Sequence, residues 1–141
     1  MMNLELVTLS GVKISEDVYE IRIPTVDGPI SVFPGHEPLV TLADNGVLEV
    51  RRKKSDPDSA MDVFATYGGI VEIAPKLVRI LVDEADTADE IMEEEAKKAY
   101  ETAEQLRANA HDQVELEKAK AELDRHAVRL KVAGLRRHRR P

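Results

Sequence analysis

The chain has 141 residues and a formal net charge of −7, with 43% hydrophobic residues, 33% charged residues, no cysteine and no tryptophan. This length fits one domain, or one small domain with an appendage. The lack of cysteine excludes a disulfide scaffold, a Cys-ligated metal site and a Cys nucleophile. No uncharged run approaches the roughly 20 apolar residues of a membrane span, and the start lacks signal-peptide features. We therefore expect a soluble protein of a reducing compartment.

The composition of the chain changes sharply near Thr87. Six of the seven glycines, both phenylalanines and every proline except the last residue precede it, whereas the remainder is rich in the helix formers Ala, Glu, Lys, Arg and Leu. Residues 1–87 hold 8 basic and 15 acidic side chains, and residues 88–141 hold 12 of each. The charge imbalance lies entirely in the first segment, and we place a domain boundary after residue 87.

Residues 1–87 are predicted to form an antiparallel β-sandwich. Turn residues such as Gly, Pro and Asn recur about every 8 to 12 residues, as they do in sandwiches and barrels. Apolar and charged side chains alternate in residues 19–23. Val78, Ile80 and Val82 alternate in the same way with the charged Arg79 and Asp83. One face of each strand should therefore line a core, and the segment is long enough to fold alone.

Residues 88–141 are predicted to form an antiparallel two-helix hairpin, so that the whole chain is an α+β protein. Thr87 and Glu90 have the spacing of a capping box, and Asp112 and Glu115 repeat it at a second helix start. Only about four residues separate the two helices, and a link that short makes them antiparallel.

The two helices are predicted to meet along a seam made largely of alanine. Such a seam lets the helices approach closely but buries little apolar area, so the hairpin should open easily. The seam positions step by three and four residues. They are Met92, Ala96, Ala99, Ala103, Leu106 and Ala110 in helix one, and Leu116, Ala119, Leu123, His126, Leu130 and Ala133 in helix two.

Helix two carries a second apolar stripe, about 160° around the helix from the seam. A lone pair of helices cannot bury two nearly opposite faces, so either the β-domain or a partner must cover this one. The stripe consists of Val114, Ala121, Val128, Val132 and Leu135.

Charge is unevenly distributed along the hairpin. Residues 89–104 hold seven acids and two lysines, whereas residues 125–141 hold seven basic side chains and no acid. This pattern suits the two helix dipoles of a solvated hairpin, and it equally suits a basic tip that binds an acidic surface. Nucleic-acid binding is disfavoured because the protein is acidic overall and no aromatics interleave the basic run. That run contains Arg136, Arg137, Arg139 and Arg140.

The sequence contains no recognisable catalytic motif. Phosphate-binding glycine loops, a metalloprotease helix motif and a nucleophile elbow are all missing, so we expect no enzyme, cofactor or metal site in this chain. One turn carries a polar group between prolines, namely Pro34, Gly35, His36, Glu37 and Pro38. It is either an ordered surface turn or part of an interface.

Four segments together resemble a known family. They read GPISVFPGHEPL at residues 28–39, NGVL at 45–48, GGIVEI at 68–73 and LVDEA at 81–85. In this order and at this length, they resemble the epsilon subunits of bacterial F-type ATP synthases over essentially the whole chain. The family fold, a β-sandwich followed by a helical hairpin, agrees with the architecture predicted above.

The resemblance implies a non-catalytic rotor subunit on the cytoplasmic face of the bacterial plasma membrane. The sandwich would dock on the gamma subunit and on the ring of c subunits, coupling ion flow to rotation. The hairpin would lie folded on the sandwich or extend toward the beta and alpha subunits, where its basic end restrains ATP hydrolysis. The implied interface residues are Ser31, Pro34, Gly35, His36 and Glu37 in the sandwich, and Val114, Val128, Leu135, Arg136, Arg137, Arg139 and Arg140 in the hairpin.

The chain departs from the family at a nucleotide-binding motif. Some members bind ATP through Ile/Leu-Asp-x-x-Arg-Ala at the start of helix one, and residues 91–96 here read Ile-Met-Glu-Glu-Glu-Ala. Between Ile91 and Ala96, Met92 replaces the aspartate and Glu95 replaces the arginine. An anion in place of a cation disfavours a triphosphate, so we expect no ATP binding at physiological concentration.

Two other classes remain compatible with the residues alone. A helical-hairpin adaptor or chaperone-like module would show the same C-terminal pattern but would bind many clients, whereas an epsilon-type chain requires one stable complex with gamma. A small β-sandwich enzyme would need a cleft with converging acids, which the sequence does not show.

Overall fold

A computed structural model describes residues 1–139 of the chain, with side chains as far as residue 136. Within that range the chain forms ten strands, two short 3-10 turns at Asp58–Ala60 and Ala88–Glu90, and two α-helices. The strands are β1 (Met2–Thr8), β2 (Gly11–Val18), β3 (Glu20–Ile23), β4 (Ile30–Val32), β5 (Leu39–Leu42), β6 (Gly46–Arg51), β7 (Asp62–Tyr67), β8 (Ile70–Ile73), β9 (Leu77–Leu81) and β10 (Glu84–Thr87). The helices are α1 (Glu93–Ala108) and α2 (Gln113–Arg139).

The strands form two five-stranded sheets, ordered β2-β1-β9-β8-β5 and β10-β7-β6-β3-β4. The predicted sandwich and hairpin are confirmed. Every strand pair is antiparallel except β1 with β9, which run parallel with Leu4 opposite Val78 and Leu6 opposite Ile80. A parallel pair needs a long crossover connection, and here the intervening chain is most of the sandwich.

The core of the sandwich lies between the two sheets and contains side chains from nearly every strand. Ile21 and Ile23, like Val78 and Ile80, point into this core as their patterns predict. Tyr19, expected in the core, is only half-buried, and the charged Glu20, expected to be exposed, is buried. The side chains that are almost completely buried there are Met2, Leu4, Leu6, Val18, Ile21, Ile23, Val32, Leu48, Val50, Val71, Val78 and Ile80.

A buried carboxylate joins two strands of the second sheet. Glu20 is 5% exposed and accepts hydrogen bonds from Arg51 Nε at 2.8 Å and Arg22 Nε at 3.1 Å. Burial acts to raise the pKa of Glu20, but the bonds from the two guanidinium groups outweigh it and leave that pKa below its ordinary value. Both arginines also pair with Asp58, which anchors the loop between β6 and β7.

The first helix begins later than the capping box predicts. Thr87 and Glu90 do form both hydrogen bonds of the box, but the box closes only the 3-10 turn at Ala88–Glu90. Ile91 is then extended, with φ −91° and ψ 118°, and its side chain is buried against the sandwich. Because an extended residue cannot continue the helix, α1 starts at Glu93, and the prediction of a helix directly after Thr87 was wrong.

The start of α2 lies where the sequence places it. The Asp112 carboxylate accepts the backbone N–H of Glu115 at 2.8 Å, which is an N-cap bond. The Glu115 carboxylate accepts the N–H of His111, one residue before the cap, at 2.9 Å. The short link and these caps produce the predicted antiparallel hairpin.

The alanine seam is closed along its middle and open toward the loop. Ala96 and Ala103 of α1 are buried there, as are Ala119 and Leu123 of α2. The predicted seam positions Met92 and Leu106 are instead 61% and 58% exposed. Met92 precedes α1, and Leu106 lies in its last turn, so neither faces the stretch where the two helices pack closely.

Candidate functional site

The second apolar stripe of α2 packs on the outer face of the second sheet. Val132 is fully buried, and Val128 and Leu135 pack around it against a cluster that includes Val63 and Tyr67 of β7. Val114, at the other end of the stripe, is 61% exposed. Of the two covers that the sequence allows, the β-domain or a partner, it is the β-domain that covers the C-terminal half of the stripe.

Arg125 fixes one end of this contact by three interactions. Its guanidinium lies 2.5 Å from the Glu84 carboxylate on β10 and 5.3 Å from the centroid of the Tyr67 ring. The Tyr67 hydroxyl donates a hydrogen bond to the Arg125 carbonyl oxygen at 3.3 Å. Burial raises the pKa of the Tyr67 hydroxyl, which therefore stays a donor at any physiological pH.

Arg129 and Asp86 form a half-buried pair in the middle of the contact. Arg129 Nε lies 3.7 Å from Asp86 Oδ2, too far for a hydrogen bond, and this buried nitrogen has no hydrogen-bond partner among the described residues. Burial raises the pKa of Asp86, and the charge of Arg129 opposes that rise only in part. The two charged groups therefore lose much of their hydration, and the Arg129 Nε–H does not gain a hydrogen bond in return.

Two further ion pairs lie beside the 3-10 turn that joins the domains. Arg136 pairs with Asp89, so this predicted member of the basic end contacts its own chain. Lys13 Nζ of β2 lies 2.6 Å from Glu90 Oε1, and its hydrogen bond is the main cause that lowers the pKa of Glu90. The side chains of Arg137 and Arg139, and all of Arg140, lie outside the described residues.

The positions of the degenerate nucleotide motif divide into two groups. Ile91 and Ala96 are buried in the contact between the arm and the sandwich. Met92 and Glu95 are exposed. The absence of ATP binding expected from Met92 and Glu95 stays a prediction.

The proline-bracketed turn is ordered by backbone hydrogen bonds, one of which reaches Pro75 in the loop between β8 and β9. The Gly35 N–H donates to the Pro75 carbonyl at 2.9 Å, and Gly35 adopts φ +86°, which favours glycine. The His36 N–H donates to the Phe33 carbonyl at 3.2 Å, and His36 Nδ1 lies 2.7 Å from the Glu37 carbonyl oxygen. Pro34 and His36 are half-buried, and Gly35, Glu37 and Ser31 are exposed, so the turn offers a rigid surface.

An apolar surface that sequence reasoning missed follows directly after this turn. Strand β5 is at the edge of its sheet, and side chains on both of its faces are exposed. Leu39, Val40 and Leu42 are 41%, 71% and 56% exposed, and Phe33 and Ile70 are each 42% exposed. An apolar run predicts a strand but does not reveal that nothing covers it, so the sequence carried no signal for this "β5 surface".

The comparisons with known proteins decide the family. The family model described as the ATP synthase delta/epsilon chain β-sandwich domain matches residues 1–88, and the model of the long α-helix domain of the same chain matches residues 89–134. The chain belongs to the ATP synthase delta/epsilon family. The resemblance inferred from residues 28–85 is thereby confirmed.

Curated relatives and a solved structure agree with this assignment. The chain is 40% identical to the ATP synthase epsilon chain of Herpetosiphon aurantiacus, with 98% of each chain covered. It is 37% identical to the epsilon chain of Chloroflexus aggregans, covering 99% of this chain and 96% of that one. It is also similar to a chain in the cryo-EM structure of the Euglena gracilis mitochondrial ATP synthase with F1 and c-ring, at a TM-score of 0.80, 26% identity, and coverage of 94% of this chain and 80% of that one.

Membership of the family defines the broad role of the chain. It is a non-catalytic central-stalk subunit of an F-type ATP synthase, as the resemblance predicts. Residues 1–139 include no helix that is both long and apolar enough to cross a membrane. Among the residues whose side chains are described, no three His, Asp or Glu side chains gather as metal ligands do.

Proposed function

We propose that this subunit joins gamma to the ring of c subunits at the cytoplasmic face of the membrane, so that ion flow through the ring turns the rotor. The β5 surface beside the rigid turn at residues 34–37 is the observation that supports this role. A strand with exposed apolar side chains on both faces is costly in water and favours burial against a partner. In this proposal the β5 surface binds gamma, and the turn with His36 contacts the rotor.

The substitution Val40→Glu tests this surface. Val40 is 71% exposed, so a glutamate there leaves the core intact but would place a charge within an apolar interface. We expect the dissociation constant for gamma to rise at least about tenfold. Isothermal titration calorimetry with purified gamma measures it, and circular dichroism verifies the fold of the variant.

The matched control for this test is Val12→Glu. Val12 is 66% exposed and lies on β2, the opposite edge strand of the same sheet. The two variants therefore make the same chemical change on equivalent edge strands. Equal affinities of Val40→Glu and the unmodified chain, or equal losses in Val40→Glu and Val12→Glu, would remove the β5 surface as the gamma-binding site.

The helical arm, residues 88–141, is proposed to restrain ATP hydrolysis when it leaves the sandwich. The structure holds the arm in its docked position, where Val132 is buried and Arg136 is paired with Asp89. In that position Arg136 is already engaged within the chain. In this proposal, restraint through the basic end, directed at the beta and alpha subunits, follows separation of the arm from the sandwich.

The docked arm is poorly suited to the alternative role of a general adaptor or chaperone. Such a module needs an accessible apolar face, and here the sandwich covers Val128, Val132 and Leu135. Val114 and Leu106 stay exposed near the loop, but they are two separate side chains.

A further inference from the structure

We propose that three arginines on one face of α2 form an electrostatic latch with two acids of the sandwich edge strand and one acid of the 3-10 turn that follows it, and that this latch sets how often the arm undocks. The "arginine latch" consists of Arg125, Arg129 and Arg136, paired with Glu84, Asp86 and Asp89 respectively. The undocking itself is measurable on the isolated chain. Only its consequence for ATP hydrolysis rests on the proposed function.

The three arginines on α2 lie opposite the three acids on β10 and the 3-10 turn after it. At about 100° per residue, positions 125, 129 and 136 lie within about 40° of one another around α2. Glu84 and Asp86 are alternate residues of β10 and so point to the same side of that strand. Asp89 follows in the 3-10 turn. Two rows of opposite charge thus run alongside each other at the rim of the apolar contact.

The middle pair makes the latch weak enough to release. The side chains of Arg129 and Asp86 are 23% and 22% exposed, yet Arg129 Nε lies 3.7 Å from Asp86 Oδ2 and has no hydrogen-bond partner in the part of the chain that the structure describes. Both groups lose hydration without gaining a full hydrogen bond, so much of their attraction is offset. Removing either partner alone is worse, because the other charge stays in the contact without its counterion.

The outer pairs make the latch sensitive to salt. Glu84 is 45% exposed and Asp89 is 72% exposed, so ions reach both pairs. The apolar part of the contact extends beyond one stripe, and on the arm side it contains Ala88, Ile91, Ala96, Val128, Leu130, Val132, Ala133 and Leu135. The charged pairs add to this apolar contact, so screening or removing them shifts the equilibrium toward the open arm.

The test measures undocking on the isolated full-length chain by fluorescence energy transfer. Because the sequence has no cysteine, the exposed positions Ser59 and Lys131 can be changed to cysteine and labelled specifically. Ser59 lines the same groove as Arg136, so the pair reports the docked arm. We expect Asp86→Asn to raise the ratio of open to docked arm at least about tenfold.

Sodium chloride, raised from a low concentration to about 1 M, should open the unmodified arm progressively.

Three further variants make the outcome decisive. Arg129→Gln removes the same pair from the arm side, where it cannot disturb the sandwich core, and should open the arm as Asp86→Asn does. The double change Asp86→Leu with Arg129→Met replaces the pair by apolar groups and should restore docking. Glu101→Gln, which makes the same charge change at an exposed position of α1, should leave the transfer efficiency unchanged.

Two results would overturn the latch. One is an arm that stays docked in Asp86→Asn and Arg129→Gln. The other is an arm that opens as much in Glu101→Gln as in the latch variants, which would mean that net charge alone governs docking. Neither result involves gamma or ATP hydrolysis, so failure of the latch is distinct from failure of the proposed rotor function.

Discussion

Replacement of Gly69 by alanine is expected to lower the free energy of unfolding of the sandwich by about 3 kcal/mol or more. Gly69 adopts φ +119°, a conformation that residues with a Cβ rarely adopt. A Cβ built there would lie 1.9 Å from the carbonyl oxygen of Leu81. This oxygen belongs to the backbone at the end of β9, where Leu81 pairs with Ile70 at the start of β8. The Leu81 carbonyl therefore cannot move without disrupting the pairing of β8 with β9.

Urea unfolding followed by circular dichroism measures this loss, and Gly134→Ala is its matched control. Gly134 lies within α2, and a Cβ there would meet no atom of the described side chains within 4 Å. Alanine at that position should stabilise the helix by up to about 1 kcal/mol. A loss below about 1 kcal/mol in Gly69→Ala would show that the backbone at the β8 start adapts to a side chain.

Removal of residues 88–141 is expected to raise ATP hydrolysis by the assembled complex about fivefold or more. The arm contributes the basic end that the proposed function assigns to restraint, and the truncated chain has none of it. The sandwich retains its own core, which includes no residue beyond Ala85, so it should fold and still bind gamma. Truncation does uncover Val63, Ala65 and Tyr67, which the arm normally covers.

The measurement adds the full or truncated chain to ATP synthase that lacks this subunit and follows phosphate release. Comparison of the two chains at equal occupancy separates the effect of the arm from that of assembly. Hydrolysis that is the same with both chains would remove the inhibitory role of the arm, while leaving the rotor role of the sandwich untouched.

Local patterns in the sequence predict most of the fold. The inward positions of Ile21 and Ile23 and the cap at Asp112 depend on neighbouring residues, and both appear in the structure as expected. The parallel pairing of β1 with β9 could not be predicted in this way, because Leu4 and Val78 are far apart in sequence. The late start of α1 has the same origin, since burial of Ile91 by distant strands overrides a well-formed capping box.

The candidate site was predicted less completely. The sequence predicts a second stripe on α2 that needs a cover, but it cannot say that β7 covers Val132. It predicts a basic end as a surface for partners, whereas the structure pairs Arg136 with Asp89 of the same chain. The exposure of Val40 and Leu42 also escapes sequence patterns, because periodicity describes which residues share a face and not what covers that face.

In the proposed role, this chain is a rotor subunit whose sandwich binds gamma. Coexpression of the tagged chain with the gamma subunit of the same ATP synthase, followed by affinity purification and size-exclusion chromatography, tests it most directly. We expect one stable complex with one gamma per chain, formed equally by the full chain and by residues 1–87. Elution of the chain without gamma, or with a mixture of unrelated proteins in its place, would contradict it.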